Sequence, residues 1–221
     1  MALPKLQIAL DTFDLPSALS PLQKAQAFID IIEAGTILCL AEGMHAIRVL
    51  RSLYPEKPIL ADVRIAEAGS IISRMAFEAG ASWVSVVSGA TLTTVEAVMN
   101  QAANYGGEVQ IELIDPWTYE QAHQWRAMGV PQVIAHRSRD AETKGQQTWS
   151  AQDLDHIRRL ADMGFLVTVT GGVTLEDIPR FAGVPVGIFI GGRAIRDAAD
   201  PSAAAAQFQE TIRRTYAAAL T

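Results

Sequence analysis

The chain contains 221 residues, with 18 Lys and Arg against 24 Asp and Glu, and therefore carries a net charge of −6 at neutral pH. Hydrophobic residues make up 49% and charged residues 19% of the sequence, which is typical of a packed globular protein and excludes a disordered chain. The acidic balance without a basic block argues against nucleic acid as a partner, and no apolar run approaches the ~18 residues that a membrane span needs.

The sequence favours one soluble cytoplasmic domain. The N-terminus lacks the charged-then-apolar order of a signal peptide. Cys39 is the single cysteine, so an internal disulfide is excluded, as expected for a reducing compartment. No linker rich in Pro, Gly or Ser divides the chain, and barrels of this length form single domains. We therefore predict one domain over residues 1–221.

Short β-rich runs alternate with helical patterns from one end of the chain to the other. Eight strands are predicted, at Leu6–Leu10, Phe28–Ile32, Ile59–Val63, Trp83–Val87, Val109–Leu113, Gln132–Ala135, Leu166–Val169 and Val186–Ile190. Apolar residues recur between them at helical spacing, as at Met44, Ile47, Leu50 and Tyr54, and at Leu154, Ile157 and Leu160. The last helix is predicted to open at Asp200-Pro201, with Ala205, Phe208 and Ile212 on one face.

This alternation predicts an α/β protein built from right-handed βαβ units with a parallel sheet. Eight such units fit a (β/α)₈ TIM barrel near the short end of its usual size range. A doubly wound open sheet is the alternative architecture with the same order of elements.

Polar side chains end six of the predicted strands, in the phase opposite to the helix-facing aliphatic residues. In the first strand Gln7 and Asp11 share one face, because side chains alternate across a strand. The same count places further polar residues on that inner face, namely Glu33, Asp62, Arg64, Glu112, His136 and Thr170. Barrel enzymes carry their chemistry at the carboxyl ends of the strands, so the pattern predicts an active site there.

Glu33 and Asp62 end adjacent predicted strands, and their carboxylates are expected to converge. Two hard oxygen ligands with room for water and substrate oxygens suit Mg²⁺ better than zinc, which prefers His and Cys. The alternative is a pair of capping or salt-bridging carboxylates at the rim of the barrel. A magnesium site and a rim ion pair are both compatible with the sequence.

Glycine pairs follow the last two predicted strands, at Gly171-Gly172 and Gly191-Gly192. Glycine lets backbone N–H groups approach an anion, and these two loops form the usual phosphate site of the barrel. Arg193 adds a guanidinium group that suits phosphate oxygens. A single Gly-Gly is often only a turn, but two of them in the expected loops indicate a phosphorylated small molecule.

His136 ends a predicted strand, and Arg137 and Arg139 follow it closely. Imidazole is the natural proton carrier near neutral pH, so we predict a catalytic histidine, with a buried structural histidine as the alternative. The other three histidines are interpreted as surface or packing residues: His45, His123 and His156. The tryptophans are interpreted as core or interface residues: Trp83, Trp117, Trp125 and Trp149. Cys39 lies in an apolar stretch and is interpreted as a structural residue.

Several runs resemble those of the 3-keto-L-gulonate 6-phosphate decarboxylases, a branch of the orotidine 5′-phosphate decarboxylase suprafamily. The resemblance is carried by the segments 6–11, 33–39, 110–113, 136–140 and 169–172, and it covers nearly the whole chain. It implies a homodimeric barrel with active sites at the subunit interface. It also implies Mg²⁺-assisted decarboxylation of a β-keto sugar acid phosphate to L-xylulose 5-phosphate through an enediolate, in ascorbate and gulonate catabolism.

The resemblance further implies a role for each matching residue. Glu33 and Asp62 are expected to bind the metal, and Asp11 and Glu112 to contact substrate hydroxyls. His136 and Arg139 are expected to protonate the enediolate, directly or through water. The phosphate is expected to lie against Thr170, Gly172, Gly192 and Arg193.

One motif departs from the family pattern. The family carries Asp-x-Lys-x-x-Asp after the third strand, where this chain has Asp62, Arg64 and Glu67. Arg keeps the positive charge of Lys but is planar and effectively never deprotonates. Glu67 replaces the aspartate that the resemblance places in the neighbouring subunit's site. We count Arg64 and Glu67 among the expected catalytic residues.

Other functions with the same barrel and phosphate loops stay open. A 3-hexulose-6-phosphate synthase-type aldolase would pass through a similar enediolate but would require formaldehyde. A sugar-phosphate epimerase would release no CO₂. A binding protein that has lost catalysis would show ligand-dependent stabilisation without turnover.

Overall fold

A computed structural model describes residues 2–137 and 149–217 of the chain. Eight parallel strands, each hydrogen-bonded to the next along the chain, close into a barrel as the last pairs with the first. Their bounds are β1 Lys5–Leu10, β2 Ile31–Ala34, β3 Ile59–Ile65, β4 Trp83–Val87, β5 Glu108–Leu113, β6 Gln132–His136, β7 Leu166–Thr170 and β8 Ile188–Gly191. The predicted (β/α)₈ TIM barrel is therefore confirmed, and the open sheet is excluded.

Helices connect the strands and cover the outside of the barrel. They are α1 Leu15–Ala25, α2 Thr36–Glu42, α3 Met44–Leu53, α4 Gly69–Glu78, α5 Leu92–Tyr105, α6 Tyr119–Ala127, α7 Ala151–Asp162, α8 Arg193–Arg196 and α9 Pro201–Ala217. Short 3₁₀ helices cover Gln26–Phe28 and Ile178–Phe181. No helix in the described ranges is long and apolar enough to cross a membrane.

The helix starts follow from local capping chemistry. The Ser150 hydroxyl accepts a hydrogen bond from the Asp153 N–H, and the Asp153 carboxylate accepts one from the Ser150 N–H, which forms a capping box. The Asp200 carboxylate accepts from the Ala203 N–H at 3.0 Å, so α9 begins at Pro201 as predicted. Phe208 of α9 is buried, which confirms its predicted core-facing side.

Two strands begin two or three residues later than predicted. β2 begins at Ile31, three residues later than predicted, because Phe28 ends a 3₁₀ turn that the Ile29 N–H closes on the Gln26 carbonyl. β8 begins at Ile188, two residues later than predicted, because the Val186 N–H bonds locally to the Val184 carbonyl. The alternation along the strands is unaffected by either change.

The strand register arranges the inner side chains in layers of four from alternate strands. From the middle towards the carboxyl end, the layers are Gln7, Leu60, Gln110 and Thr168, then Glu33, Ser85, Ile134 and Ile190, then Ala9, Asp62, Glu112 and Thr170. Polar residues thus enter the middle of the barrel, whereas aliphatic residues of the opposite phase pack against the helices. The barrel presents a polar end at which the predicted site residues meet.

Candidate active site

A cavity opens at the carboxyl ends of the strands. Ten predicted site residues line it: Asp11, Glu33, Asp62, Arg64, Glu112, His136, Thr170, Gly172, Gly192 and Arg193. Six of them lie in five strands, namely β2, β3, β5, β6 and β7, and the other four follow β1, β7 or β8. The residues selected from strand alternation and from the glycine pairs therefore lie in one cavity.

Glu33 and Asp62 are buried carboxylates on neighbouring strands. Gln7, one layer below, donates its amide N–H to Glu33 Oε2 at 2.6 Å. Asp62 accepts two hydroxyl hydrogen bonds of 2.6 Å each, from Ser85 to Oδ1 and from Thr36 to Oδ2. These bonds fix both carboxylates in orientation, but each bond comes from a neutral group and leaves the negative charge in place.

The burial of these two acids changes how they hold protons. Burial raises the pKa of Glu33 well above its usual range, and the negative charge of the neighbouring Asp62 raises it further. Burial also raises the pKa of Asp62, and the nearby Glu112 adds to the increase, whereas Arg64 opposes it. The pair is therefore a concentration of negative charge that lacks full compensation within the described part of the protein.

Arg64, Glu112 and His136 form a connected group beside this pair. The Arg64 Nη2 donates to Glu112 Oε1 at 2.7 Å, while its Nε lies 3.6 Å from Asp62 Oδ2. The His136 Nδ1 lies 2.6 Å from the same Glu112 Oε1. Because a carboxylate only accepts, His136 donates through Nδ1, and its Nε2 is left as the nitrogen that can exchange a proton with another molecule.

The backbone of Arg64 is unusual. Its φ of 46° lies in the left-handed region, which costs a residue with a side chain roughly 1–2 kcal/mol. Residues between Ala61 and Ile65 bulge out of the pairing with β4. Such strain persists only where the surroundings impose it, and it is common at functional sites.

The predicted phosphate loops adjoin the same cavity. Gly171 has a φ of 101°, and a Cβ there would lie 2.2 Å from the Arg137 carbonyl oxygen, so the close approach of the chain requires glycine. A Cβ at Gly192 would meet only Ala9, at 3.9 Å. Packing does not demand glycine at position 192, and the missing side chain leaves this backbone open towards the cavity.

One predicted catalytic residue does not join the cluster. Glu67 is exposed in the loop before α4 and does not line the cavity of its own chain. Arg139 lies outside the described residues. The role of Glu67 in a neighbouring subunit and that of Arg139 in protonation remain predictions.

The sequence interpretation missed several contributors. Thr36 and Ser85 hold Asp62, and Ser85 was detectable as the one hydroxyl in the inner phase of an apolar strand. His156 and Trp117 pack against Tyr119 and against each other, as packing residues are expected to do, but both also line the cavity, which the sequence did not predict. Their lining position depends on how α7 and the loop before α6 meet, which strand phase does not predict.

Cys39 is a structural residue, as expected. Its Sγ donates to the Ala34 carbonyl at 3.2 Å. Burial raises the pKa of the thiol to about 12, and the negative charge of Asp62 contributes to the increase. A protonated thiol is a poor nucleophile and a poor metal ligand at neutral pH.

Comparison with known proteins identifies the family. The model of the orotidine 5′-phosphate decarboxylase / HUMPS family matches residues 4–208. A 3-keto-L-gulonate-6-phosphate decarboxylase from Escherichia coli (strain UMN026) is 52% identical over 212 residues, covering 96% of this chain and 98% of that protein. The chain belongs to the orotidine 5′-phosphate decarboxylase / HUMPS family.

Solved structures of family members superpose on the whole barrel. A ligand complex of the 3-keto-L-gulonate 6-phosphate decarboxylase from Streptococcus mutans gives a TM-score of 0.95 at 40% identity, covering 97% of this chain and 100% of that one. The 3-keto-L-gulonate-6-phosphate decarboxylase from Vibrio cholerae gives 0.90 at 41% identity, covering 97% and 99%. The predicted resemblance and the predicted enzyme class, a carboxy-lyase, are confirmed.

The donor set at Glu33 and Asp62 fits Mg²⁺. Both side chains offer carboxylate oxygens, the ligands that this cation prefers. Burial is the main cause of both raised pKa values, and the charge of Asp62 adds to the increase at Glu33, so a divalent cation held by the two carboxylates would stabilise their charged forms. No three His, Cys, Asp or Glu side chains within residues 2–137 and 149–217 are arranged to hold a metal. The described chain therefore offers two ligands, and water and substrate oxygens would supply the others.

The raised pKa of Glu33 predicts how the metal-free protein responds to pH. The folded state holds the Glu33 proton at pH values where the unfolded chain has lost it, so the free energy of unfolding falls as pH rises from the ordinary glutamate range towards the raised pKa. Glu33→Gln removes this titration and still accepts from Gln7. In chelator, the variant should melt above the wild type at pH 8, with the difference shrinking towards pH 5.

Each tenfold change in proton affinity is worth about 1.4 kcal/mol, and each kcal/mol moves the melting midpoint of a chain of this size by about 2–4 °C. Differential scanning calorimetry from pH 5 to pH 8 measures the effect. Glu96→Gln, an exposed change on α5, is the matched control and should leave the pH profile unaltered. Identical profiles for the wild type and Glu33→Gln would contradict the raised pKa.

Proposed function

We propose that this enzyme decarboxylates 3-keto-L-gulonate 6-phosphate to L-xylulose 5-phosphate and CO₂, with Mg²⁺ bound by Glu33 and Asp62. The observation that carries the proposal is that both buried carboxylates share one cavity with Arg64, Glu112 and His136. Arg64 lies against Asp62 and Glu112, and Glu112 contacts His136. Relatives that are 52%, 40% and 41% identical in sequence are named as decarboxylases of that substrate. The single half-buried thiol fits a cytoplasmic enzyme.

Binding would begin with the charged phosphate. The exposed Gly172 and the half-buried Gly192 line one side of the cavity together with Thr170 and Arg193. Anchoring the phosphate there would direct the keto acid towards the carboxylate cluster on the opposite strands. Asp11 and the buried Glu112 Oε2, which has no hydrogen-bond partner among the described residues, would accept from substrate hydroxyls.

Decarboxylation breaks the bond between the carboxylate carbon and its neighbour, and the electron pair moves to the adjacent carbonyl oxygen as CO₂ leaves. Mg²⁺, when bound, supplies Lewis-acid stabilisation of the negative charge that develops on the substrate oxygens. Arg64 adds a fixed positive charge on the other side of Asp62. A preoriented charge of this kind stabilises the transition state without reorganisation.

The enediolate must then regain a proton on carbon. His136 is suited to this step, because Glu112 holds its Nδ1 and leaves Nε2 to deliver a proton, directly or through water. A guanidinium group is a poor proton donor, so the role that we assign to Arg64 is electrostatic. Arg139 is the second residue that we assign to protonation, as the resemblance implies.

Incubation with 3-keto-L-gulonate 6-phosphate and Mg²⁺ tests the function directly. We expect CO₂ release that excess chelator abolishes and Mg²⁺ restores. Asp62→Asn should lower kcat by at least about 10²-fold, since it removes a charge that the metal needs. Circular dichroism of the variant checks that the barrel persists.

The competing functions have distinct outcomes in the same assay. Full CO₂ release in excess chelator would refute the metal assignment. Formaldehyde-dependent condensation without CO₂ release would establish the aldolase, and carbon epimerisation of a pentulose phosphate would establish the epimerase. Thermal stabilisation by the phosphate ligand without turnover would establish a binding protein.

Arg64 should act through its charge. Arg64→Ala leaves Asp62 and Glu112 without their shared cation and should lower kcat by about 10²–10³-fold, with a smaller change in KM. Arg64→Lys restores the family residue and should keep or raise kcat on the same substrate. Steady-state kinetics of the three proteins measure the effect. Equal kcat values for Arg64→Ala and the wild type would exclude a role for the charge.

We further propose that the enzyme is a homodimer with shared active sites. Glu67 is exposed just before α4, and α4 exposes the apolar side chains Ile71 and Met75 beside it. A second copy that covers this face would bury the apolar surface and receive Glu67 in its own cavity. The resemblance assigns the same role to the residue at this position.

Subunit mixing tests the shared site. Glu67→Ala and Asp62→Asn should each be inactive alone. After co-expression, half of the dimers are mixed and each contains one intact site, so roughly a quarter of wild-type activity should return. Mixing Glu33→Gln with Asp62→Asn is the control and should return none, since both residues belong to one chain's cavity. A monomer in sedimentation would rule out the dimer.

A further inference from the structure

Ser85 is a fully buried serine on β4, one layer below Asp62. Its neighbours Val84 and Val86 face the helices and are also fully buried, so alternation directs Ser85 into the barrel. Ser85 does not line the cavity. It therefore cannot touch a substrate, and any influence on the reaction passes through the residues that it holds.

The Ser85 hydroxyl contacts two functional groups at once. It donates to Asp62 Oδ1 at 2.6 Å and accepts from the backbone N–H of Arg64 at 2.9 Å. A hydroxyl has one hydrogen to donate and lone pairs to accept, so one oxygen can serve both partners. Neither an aliphatic side chain nor a carboxylate could make this pair of bonds.

The bulge in β3 explains why a side chain is needed here. Ala61 pairs with Val84 and Ile65 pairs with Val86, so four steps along β3 face two steps along β4. Between these pairs, the Arg64 N–H bonds to the Ser85 side chain. The left-handed backbone of Arg64, with φ of 46°, is held from the neighbouring strand by this bond.

We propose that Ser85 is a positioning residue that sets the Asp62 carboxylate and the Arg64 guanidinium in their working arrangement. The inference rests on the proposed function, because it assigns Asp62 to the metal and Arg64 to the developing charge. Removal of the hydroxyl would free Asp62 Oδ1 and release the bulge that directs Arg64 towards Glu112. Both partners would then lose alignment together, although neither has been changed.

Ser85→Ala tests the inference, with Ser85→Thr as the conservative variant that keeps a hydroxyl. Groups that orient metal ligands typically contribute 10–100-fold to metal affinity or activity. We expect Ser85→Ala to lower kcat by about 10–100-fold with KM changed less than about threefold, and to weaken Mn²⁺ binding about tenfold or more in calorimetry. Ser85→Thr should recover most of both losses.

Ser82→Ala is the matched control. The Ser82 hydroxyl also accepts from a β3 backbone N–H, that of Ile59, but at the opposite end of the same two strands. It also accepts from Arg51 at 2.8 Å. Its removal should lower the melting temperature while leaving kcat and Mn²⁺ affinity unchanged. The comparison separates the loss of a strand-to-strand bond from the loss of site alignment.

If the wild type is active and Ser85→Ala keeps the same kcat and Mn²⁺ affinity, the inference is overturned and the proposed function stands. This holds even if Ser85→Ala has a lower melting temperature. A wild type that neither binds Mn²⁺ nor releases CO₂ would overturn the proposed function and the inference with it. Should Ser85→Ala fail to fold, Ser85→Cys replaces it, since sulfur is a weak donor of similar shape. Ser85→Cys with the kcat and Mn²⁺ affinity of Ser85→Thr would then refute the inference.

Discussion

Negative charge buried at the carboxyl end of the barrel is the constraint on which the rest of the site depends. Glu33, Asp62 and Glu112 end three strands whose register directs all of them inward, and each is nearly inaccessible to water. Water would otherwise stabilise these charges, so the protein must replace it with donors and with positive charge. Gln7, Thr36 and the other hydroxyl and amide groups supply the donors, whereas Arg64 supplies positive charge.

This arrangement explains why the polar residues extend into the interior of the barrel. Gln7 and Gln110 lie in a layer that purely aliphatic side chains could fill, yet Gln7 donates to Glu33 from there. The loss of this donor would raise the pKa of Glu33 further, because the hydrogen bond from Gln7 favours the charged form. Gln7 thus belongs to the site, even though the cavity does not reach it.

The sequence predicted the barrel and the cavity residues because both follow from alternation. Side chains alternate along a strand, so the position of one inner residue predicts the whole inner face. The errors of two or three residues at the starts of β2 and β8 did not change which residues belong to that face. Glu33 was correctly predicted to face the inside of the barrel, although the predicted second strand ended before it.

Other features of the site depend on geometry that periodicity does not carry. The bulge at Arg64 and the hydroxyl opposite it require two strands to be compared in space. The lining positions of His156 and Trp117 depend on how a helix and a loop meet beside the barrel. Glu67 lies outside the cavity of its own chain, and the proposal that it acts in a second subunit concerns a contact that the strand pattern of one chain does not describe.

The environment of Cys39 has a practical consequence for studying this enzyme in solution. The thiol is hydrogen-bonded to the backbone of β2 and stays protonated at neutral pH, so maleimide reagents have little thiolate to react with. A cysteine introduced on an exposed helix position would carry a fluorophore or spin label selectively, without prior removal of the native one. Distances between labels on two copies would then report on assembly with the native thiol left in place.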